Sequence, residues 1–231
     1  MDSLFTISLL YEVVGKKEFQ EGLIDLLYVT AKNKEEALGK PFVKIPKSVT
    51  NMNLFAFHNC ASITSVHIPN SVTNISTYAF HECKNLTSVY ISNSVTNISS
   101  QAFSRCPSLT NIHIPDSVKD IGLHAFALCS SLTSIHIPNS ITTINTGVFS
   151  HCSSLTSVTI PNSVTNIDYG AFYICSGLIS VNIPNSVTEI VKNAFAWCSC
   201  LSFIKIPKRF ESRINDIFYG VDLSKVKITY T

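Results

Sequence analysis

Histidine, cysteine and aromatic side chains carry most of the chemistry open to this chain of 231 residues, and their spacing narrows what that chemistry is. His67, Tyr90, His113 and His136 fall on one grid of 23-residue steps. Imidazoles in a row can hold a metal ion or move protons, and a phenol among them can stack on a ligand. The grid continues through Lys44, Thr159, Asn182 and Lys205 and is extended to Lys227. Beside it runs a second row: Phe42, Ser65, Ser88, Asn111, Ser134, Ser157, Ser180 and Phe203.

A metal reading of the first row fails on distance. His113 and His136 are one step apart and could share an ion, but His67 lies two steps from His113, roughly 9.6 Å at strand spacing. Zinc asks for four ligands at about 2.0–2.3 Å, so no metal site and no cofactor is assigned. His58 and His81 repeat a different column, His124 and His151 stand apart, and all four are read as solvated surface. The chain has no Gly-rich phosphate loop, no Gly-x-Ser-x-Gly elbow and no His-Glu-x-x-His helix, so no catalytic residues and no enzymatic activity are expected.

Seven of the eight cysteines, Cys60, Cys83, Cys106, Cys129, Cys152, Cys175 and Cys198, occupy one position of the same grid. An odd column of thiols suits small buried hydrophobes better than bridges. Cys198 and Cys200 form the one local pair with a redox question attached.

The elements that position these side chains follow from the period itself. Ile-Pro-Asn-Ser-Val-Thr-x-Ile returns every 23 residues from Ile45 to Ile206, a period between 20 and 29 with one short strand per unit, which predicts a leucine-rich repeat solenoid. In the unit from Ile68 to Tyr90, Val89 and Ile91 alternate with Tyr90 as in a half-buried strand. Ala79, Phe80 and Cys83 are spaced for a helical or 3-10 turn on the opposite side. Pro69 ends the strand because it lacks a donor. Ile68, Val72, Ile75, Ala79, Phe80, Cys83, Leu86 and Val89 are the predicted core of one coil, and the Phe column from Phe57 to Phe195 its spine.

Strands about 4.8 Å apart, backed by bulkier helical turns, predict an array curved with the strands inside. The fold class is therefore an α/β solenoid with a concave parallel sheet of about nine strands and short helical turns on the convex side. Seven full repeats span 45–205, and a divergent C-terminal capping repeat spans 206–231. Residues 1–41 read as a strand pair, Leu4 to Val13 and Leu23 to Thr30, and a short helix from Asn33 to Leu38, forming an N-terminal cap or a small accessory module.

With Cys-x-x-Leu-x-x-Val-x-Ile-Pro-x-Ser-Val-x-x-Ile-x-x-x-Ala-Phe laid out, the chain resembles the BspA-like leucine-rich repeats found in surface proteins of mucosal anaerobic bacteria and some protists. The resemblance covers Phe42 to about Lys205. It implies a curved solenoid and non-enzymatic recognition of a protein partner, often adhesion to host matrix or surface proteins, by chains that are secreted or anchored. The N-terminus carries no positively charged, uninterrupted apolar leader, which by itself predicts a cytoplasmic chain without a membrane span. Asn74, Asn85 and Asn97 stand in sequons that an Asn/Ser/Thr-rich repeat produces by chance.

Charge agrees with a protein partner rather than nucleic acid. Seventeen Lys and Arg against 15 Asp and Glu leave a net +2, too small and mixed for a polyanion. The predicted binding residues are His67, Tyr90, His113, His136, Thr159, Asn182, Phe203 and Lys205. A second candidate surface is the edge of Leu128, Ile174 and Trp197, at a position filled by Asn59, Glu82 and Arg105 in earlier coils. That shift from polar to apolar marks either a contact patch, open to self-association, or packing against the divergent last coil.

Overall fold

The computed structural model describes residues 42–45 and 47–231. The expected hairpin, helix and cap in residues 1–41 lie outside them.

The leading face is a parallel ladder whose rungs advance by 23 residues. Val66 pairs with Val89 and Val89 with Ile112; Ile135, Val158, Val181 and Ile204 continue the column. Phe42–Lys44 begins it and Lys227–Tyr230 ends it, giving nine strands among the described residues, in sheets of four and five. Inward residues alternate with outward ones, as in Ser88–Ile91, where Val89 and Ile91 are buried and Ser88 and Tyr90 exposed. All eight side chains predicted for the core of the Ile68 coil are buried. At about 1.5–3 kcal/mol per large apolar side chain, that burial depends on neighbouring coils covering both open sides.

A second ladder escaped the sequence reading. Asn74–Ile75, Asn97–Ile98 and Asp120–Ile121 pair in parallel, as do Thr143–Ile144, Asn166–Ile167 and Glu189–Ile190. Between the two ladders, each Pro-Asn-Ser-Val is closed by a turn, for example from the Val72 amide to the Pro69 carbonyl at 3.1 Å.

The far side is where the expectation of helix fails. From Tyr78 to Cys83, alternate amides close turns within the coil, Ala79 to Ser76 and His81 to Tyr78. The amides between them donate to the next coil, Tyr78 to Ser100 (3.2 Å), Phe80 to Ala102 (2.8 Å) and Glu82 to Ser104 (3.0 Å). Residues in left-handed backbone recur at two positions of each coil, including Tyr78 and Glu82, and prevent a helix from propagating. The Phe rings stack 4.9–5.8 Å apart. The far side is thus built from turns bonded to the next coil, with little helix.

Side chains repeat this stitching. Each buried thiol donates to the Phe carbonyl one coil back, from Cys83 to Phe57 at 3.0 Å through Cys198 to Phe172 at 3.2 Å. Along the edge of the first ladder the hydroxyls of Thr87, Thr110, Thr133 and Thr156 donate to the threonine carbonyl one coil back. The hydroxyl-rich surface thus satisfies carbonyls that a lone coil would leave to water.

The last coil keeps the grid as far as Phe218, which stacks on Phe195, and Gly220, which is left-handed like Trp197. A 3-10 turn at Leu223–Lys225 then adds one residue, so that Ile204 pairs with Ile228 and Lys205 with Thr229. Lys227 consequently lies beside Phe203 and not Lys205, a two-residue slip from the expected register that preserves the inward face. Arg213 (2.7 Å to the Ile190 carbonyl) and Arg209 (3.2 Å to that of Val187) donate to carbonyls of the preceding coil.

One junction differs from the rest. Neither ladder bridges the step from the rung of 111–121 to that of 134–144. Elsewhere a main-chain amide binds the carbonyl one coil back, as Gly122 binds Ile98 and Asp168 binds Ile144; here the Ile121 carbonyl accepts from Asn145 Nδ2 at 2.7 Å. The Phe126 and Phe149 rings are 5.8 Å apart, and a cavity of about 10 Å³ lies beside Ile121, Ile144 and Val148. Ile141 and Val148 occupy positions held elsewhere by Val72, Val95, Val164 and by Ala79, Ala102, Ala171. Both residues are larger by one methyl or more than their counterparts at this step, and the back remains bonded, Phe126 to Val148 at 2.9 Å and Leu128 to Ser150 at 2.8 Å.

Candidate functional site

Because side chains alternate along each rung, the first ladder turns two sequence columns into adjoining rows on one face. Tyr90 is 59% exposed, and His113, His136, Thr159 and Asn182 are exposed with it; His67, Phe203 and Lys205 are half-buried. The row divides into two groups. His67 and Tyr90 stack face to face, ring centres 4.5 Å apart and planes 5° from parallel. His113 and His136 are separated by the unbridged junction, so the pairing considered for a shared ion is the one the ladder does not enforce. Thr159, Asn182 and Lys205 follow in register, and Thr229 takes the place expected for Lys227.

What the first group presents outward is the edges of two rings stacked on each other across neighbouring rungs, with Ser65 and Ser88 hydroxyls in the adjoining row. Such ring edges offer apolar contact and a phenol hydroxyl for hydrogen bonding, while the serine hydroxyls meet polar groups beside them. Among the described residues, neither its imidazole nor its phenol is held beside a carboxylate or second base in a way that would activate a nucleophile.

The edge of Leu128, Ile174 and Trp197 is a column in left-handed backbone, φ 62°, 57° and 61°. Trp197 lies over Gly220, where a Cβ would come within 2.6 Å of the indole, and meets Tyr219 edge-on at 5.8 Å. It nevertheless remains 46% exposed, together with Leu128, Tyr169 and Tyr219. The indole both packs on the last coil and faces outward.

His58 and His81 are not solvated surface. His81 is buried and His58 half-buried; their rings stack at 5.1 Å, 16° from parallel, with the two Nδ1 atoms 3.2 Å apart. Phe55 and Tyr78 stand edge-on to them at 5.5 and 5.2 Å. Burial lowers the proton affinity of His81, with Glu82 opposing that shift. Column membership was visible in the sequence, but the depth of the column was not, because the same position carries Ser104 and Tyr173 elsewhere.

All eight cysteines are free thiols. Burial pushes Cys60 up to about 11 and Cys198 up to about 12, and Cys200 is exposed. The column is structural, and Cys198 lies in the core while Cys200 does not.

The family model for BspA type leucine rich repeat regions matches residues 40–133 and 119–231, in six copies. A leucine rich cell surface protein from Faecalibacterium prausnitzii is 39% identical over 72% of this chain, with a TM-score of 0.65; the match spans 48% of that protein, about half its length. The Treponema pallidum leucine rich repeat protein is 30% identical over 80% of this chain and 87% of its own, with a TM-score of 0.67. A leucine-rich repeat protein from Bacteroides ovatus is 28% identical over 82% of this chain and 63% of its own, with a TM-score of 0.50. No curated protein matches.

Proposed function

Because the chain belongs to the BspA-type leucine-rich repeat family, a family of repeat scaffolds, we propose that it is a non-catalytic binding protein that holds a partner protein against its strand face. The observation that carries this reading is the stack of half-buried His67 on exposed Tyr90, a pair of rings outside the core. Tyrosine exposed on a rigid frame gives contact area at little entropic cost. His113, His136, Thr159, Asn182, Phe203 and Lys205 extend the footprint along the ladder. The Faecalibacterium relative is a cell surface protein, which favours an adhesive role outside the cell for this chain too. Among the described residues no helix is long and apolar enough to cross a membrane. Residues 1–41 belong to this proposal as a cap or accessory module.

The test is affinity capture followed by titration of the captured partner. Replacing Tyr90 and His113 together by alanine should weaken binding at least tenfold, about 1.4 kcal/mol; unaltered affinity would reject this face. A second reading, self-association, rests on the exposed Leu128, Tyr169, Trp197 and Tyr219. Light scattering separates the two, since a mass independent of concentration rules out assembly.

A further inference from the structure

The solenoid does not require imidazole at the position of His58 and His81. Ser104, Ala127, Ser150, Tyr173 and Ala196 fill that column in the later coils. Two histidines there, facing each other through like nitrogens, call for a reason beyond packing. Glu82 follows His81 directly, and one ligand atom from each of His58, His81 and Glu82 lies within 4.8 Å of the others. In a tetrahedral site with metal–nitrogen bonds of about 2.0–2.1 Å, two ligand nitrogens sit about 3.3 Å apart. The Nδ1 atoms of this pair are 3.2 Å apart.

We infer that His58, His81 and Glu82 form a binding site for a divalent first-row transition cation of the zinc type. Two imidazoles and a carboxylate select such an ion over calcium or magnesium, which prefer oxygen alone. The fourth position is left for water, as in open zinc sites. The Phe55 and Tyr78 edges wall one side, and their own rings stack at 4.8 Å. Two movements complete the site. The nearly parallel imidazoles splay about their Cβ–Cγ bonds, and Glu82 leaves its loose 3.8 Å pairing with the largely exposed Arg105.

The experiment is calorimetric titration of zinc chloride into the tag-free full chain at pH 7.5, with calcium chloride as control. One equivalent should bind, calcium should not, and affinity should fall at least tenfold in His58→Ala and in Glu82→Gln. His113→Ala with His136→Ala should leave it unchanged. These variants avoid the buried His81, whose replacement could unfold the coil. Cobalt substituted for zinc should give a tetrahedral visible band without thiolate charge transfer, which sets the site apart from the cysteines. Absence of zinc binding, equal affinity in His58→Ala or Glu82→Gln, or loss on changing His113 and His136 would each overturn the assignment, leaving the 3.2 Å contact as a proton shared between neutral rings.

Discussion

At the scale of single residues, position in the column decides character. Phe126 is fully buried between Phe103 and Phe149, so Phe126→Ala should cost about 3–5 kcal/mol, and a thermal melt unchanged within a degree would contradict its place in the core. The thiols make a sharper test. With six in the core, Cys60 half-buried and raised, and Cys200 exposed, a thiol-reactive dye at pH 8 should label one equivalent quickly. That equivalent should vanish in Cys200→Ser, half-buried Cys60 should follow slowly, and the six core thiols should react only after denaturation; a third equivalent in the folded protein would mean that a core thiol is reachable. Buried apolar columns were legible because a 23-residue step preserves both identity and depth. The surroundings of His58 and His81 were not, because they depend on which aromatic side chains the neighbouring positions bring edge-on.

At the scale of elements, the first ladder was readable and the second was not, for a physical reason: a strand of two residues such as Asn97–Ile98 has no alternation to detect. The back was misread as helical because Ala79, Phe80 and Cys83 satisfy helical spacing equally well when two left-handed residues, four positions apart, reset the chain in each coil. Those resets exact strain from non-glycine residues, about 1–2 kcal/mol each. Gly147, at φ 62°, avoids it, and the space beside it is filled by the His124 ring, which a Cβ would strike. Gly147→Ala should therefore destabilise by more than the backbone term alone. Adding His124→Ala should return the excess, so that a double-mutant cycle shows coupling above about 0.5 kcal/mol; strictly additive losses would place the whole cost in the backbone. The register of the last strand was also missed, since Leu223, Val226 and Ile228 imitate the repeat spacing while a 3-10 turn inserts its extra residue among them.

At the scale of the whole molecule, a solenoid is held by nearest-neighbour contacts, and its stability is unevenly shared where one of those contacts is thin. Reducing Ile141 to Val and Val148 to Ala together should let the coils at the unbridged junction close. Amide exchange at Thr142 to Asn145 should then slow, against the usual loosening caused by trimming a core; exchange that stays the same would move the cause of the gap elsewhere. The proposed binding surface would inherit this division, with the His67–Tyr90 stack on one side and His136, Thr159 and Asn182 on the other. Where both front ladders lapse and the rear amides still hold, tension applied along the array has a weakest link with a built-in pivot. A pulled molecule should yield there before any coil unravels, turning on the rear bonds, and single-molecule force measurements should show a first event of one opened junction.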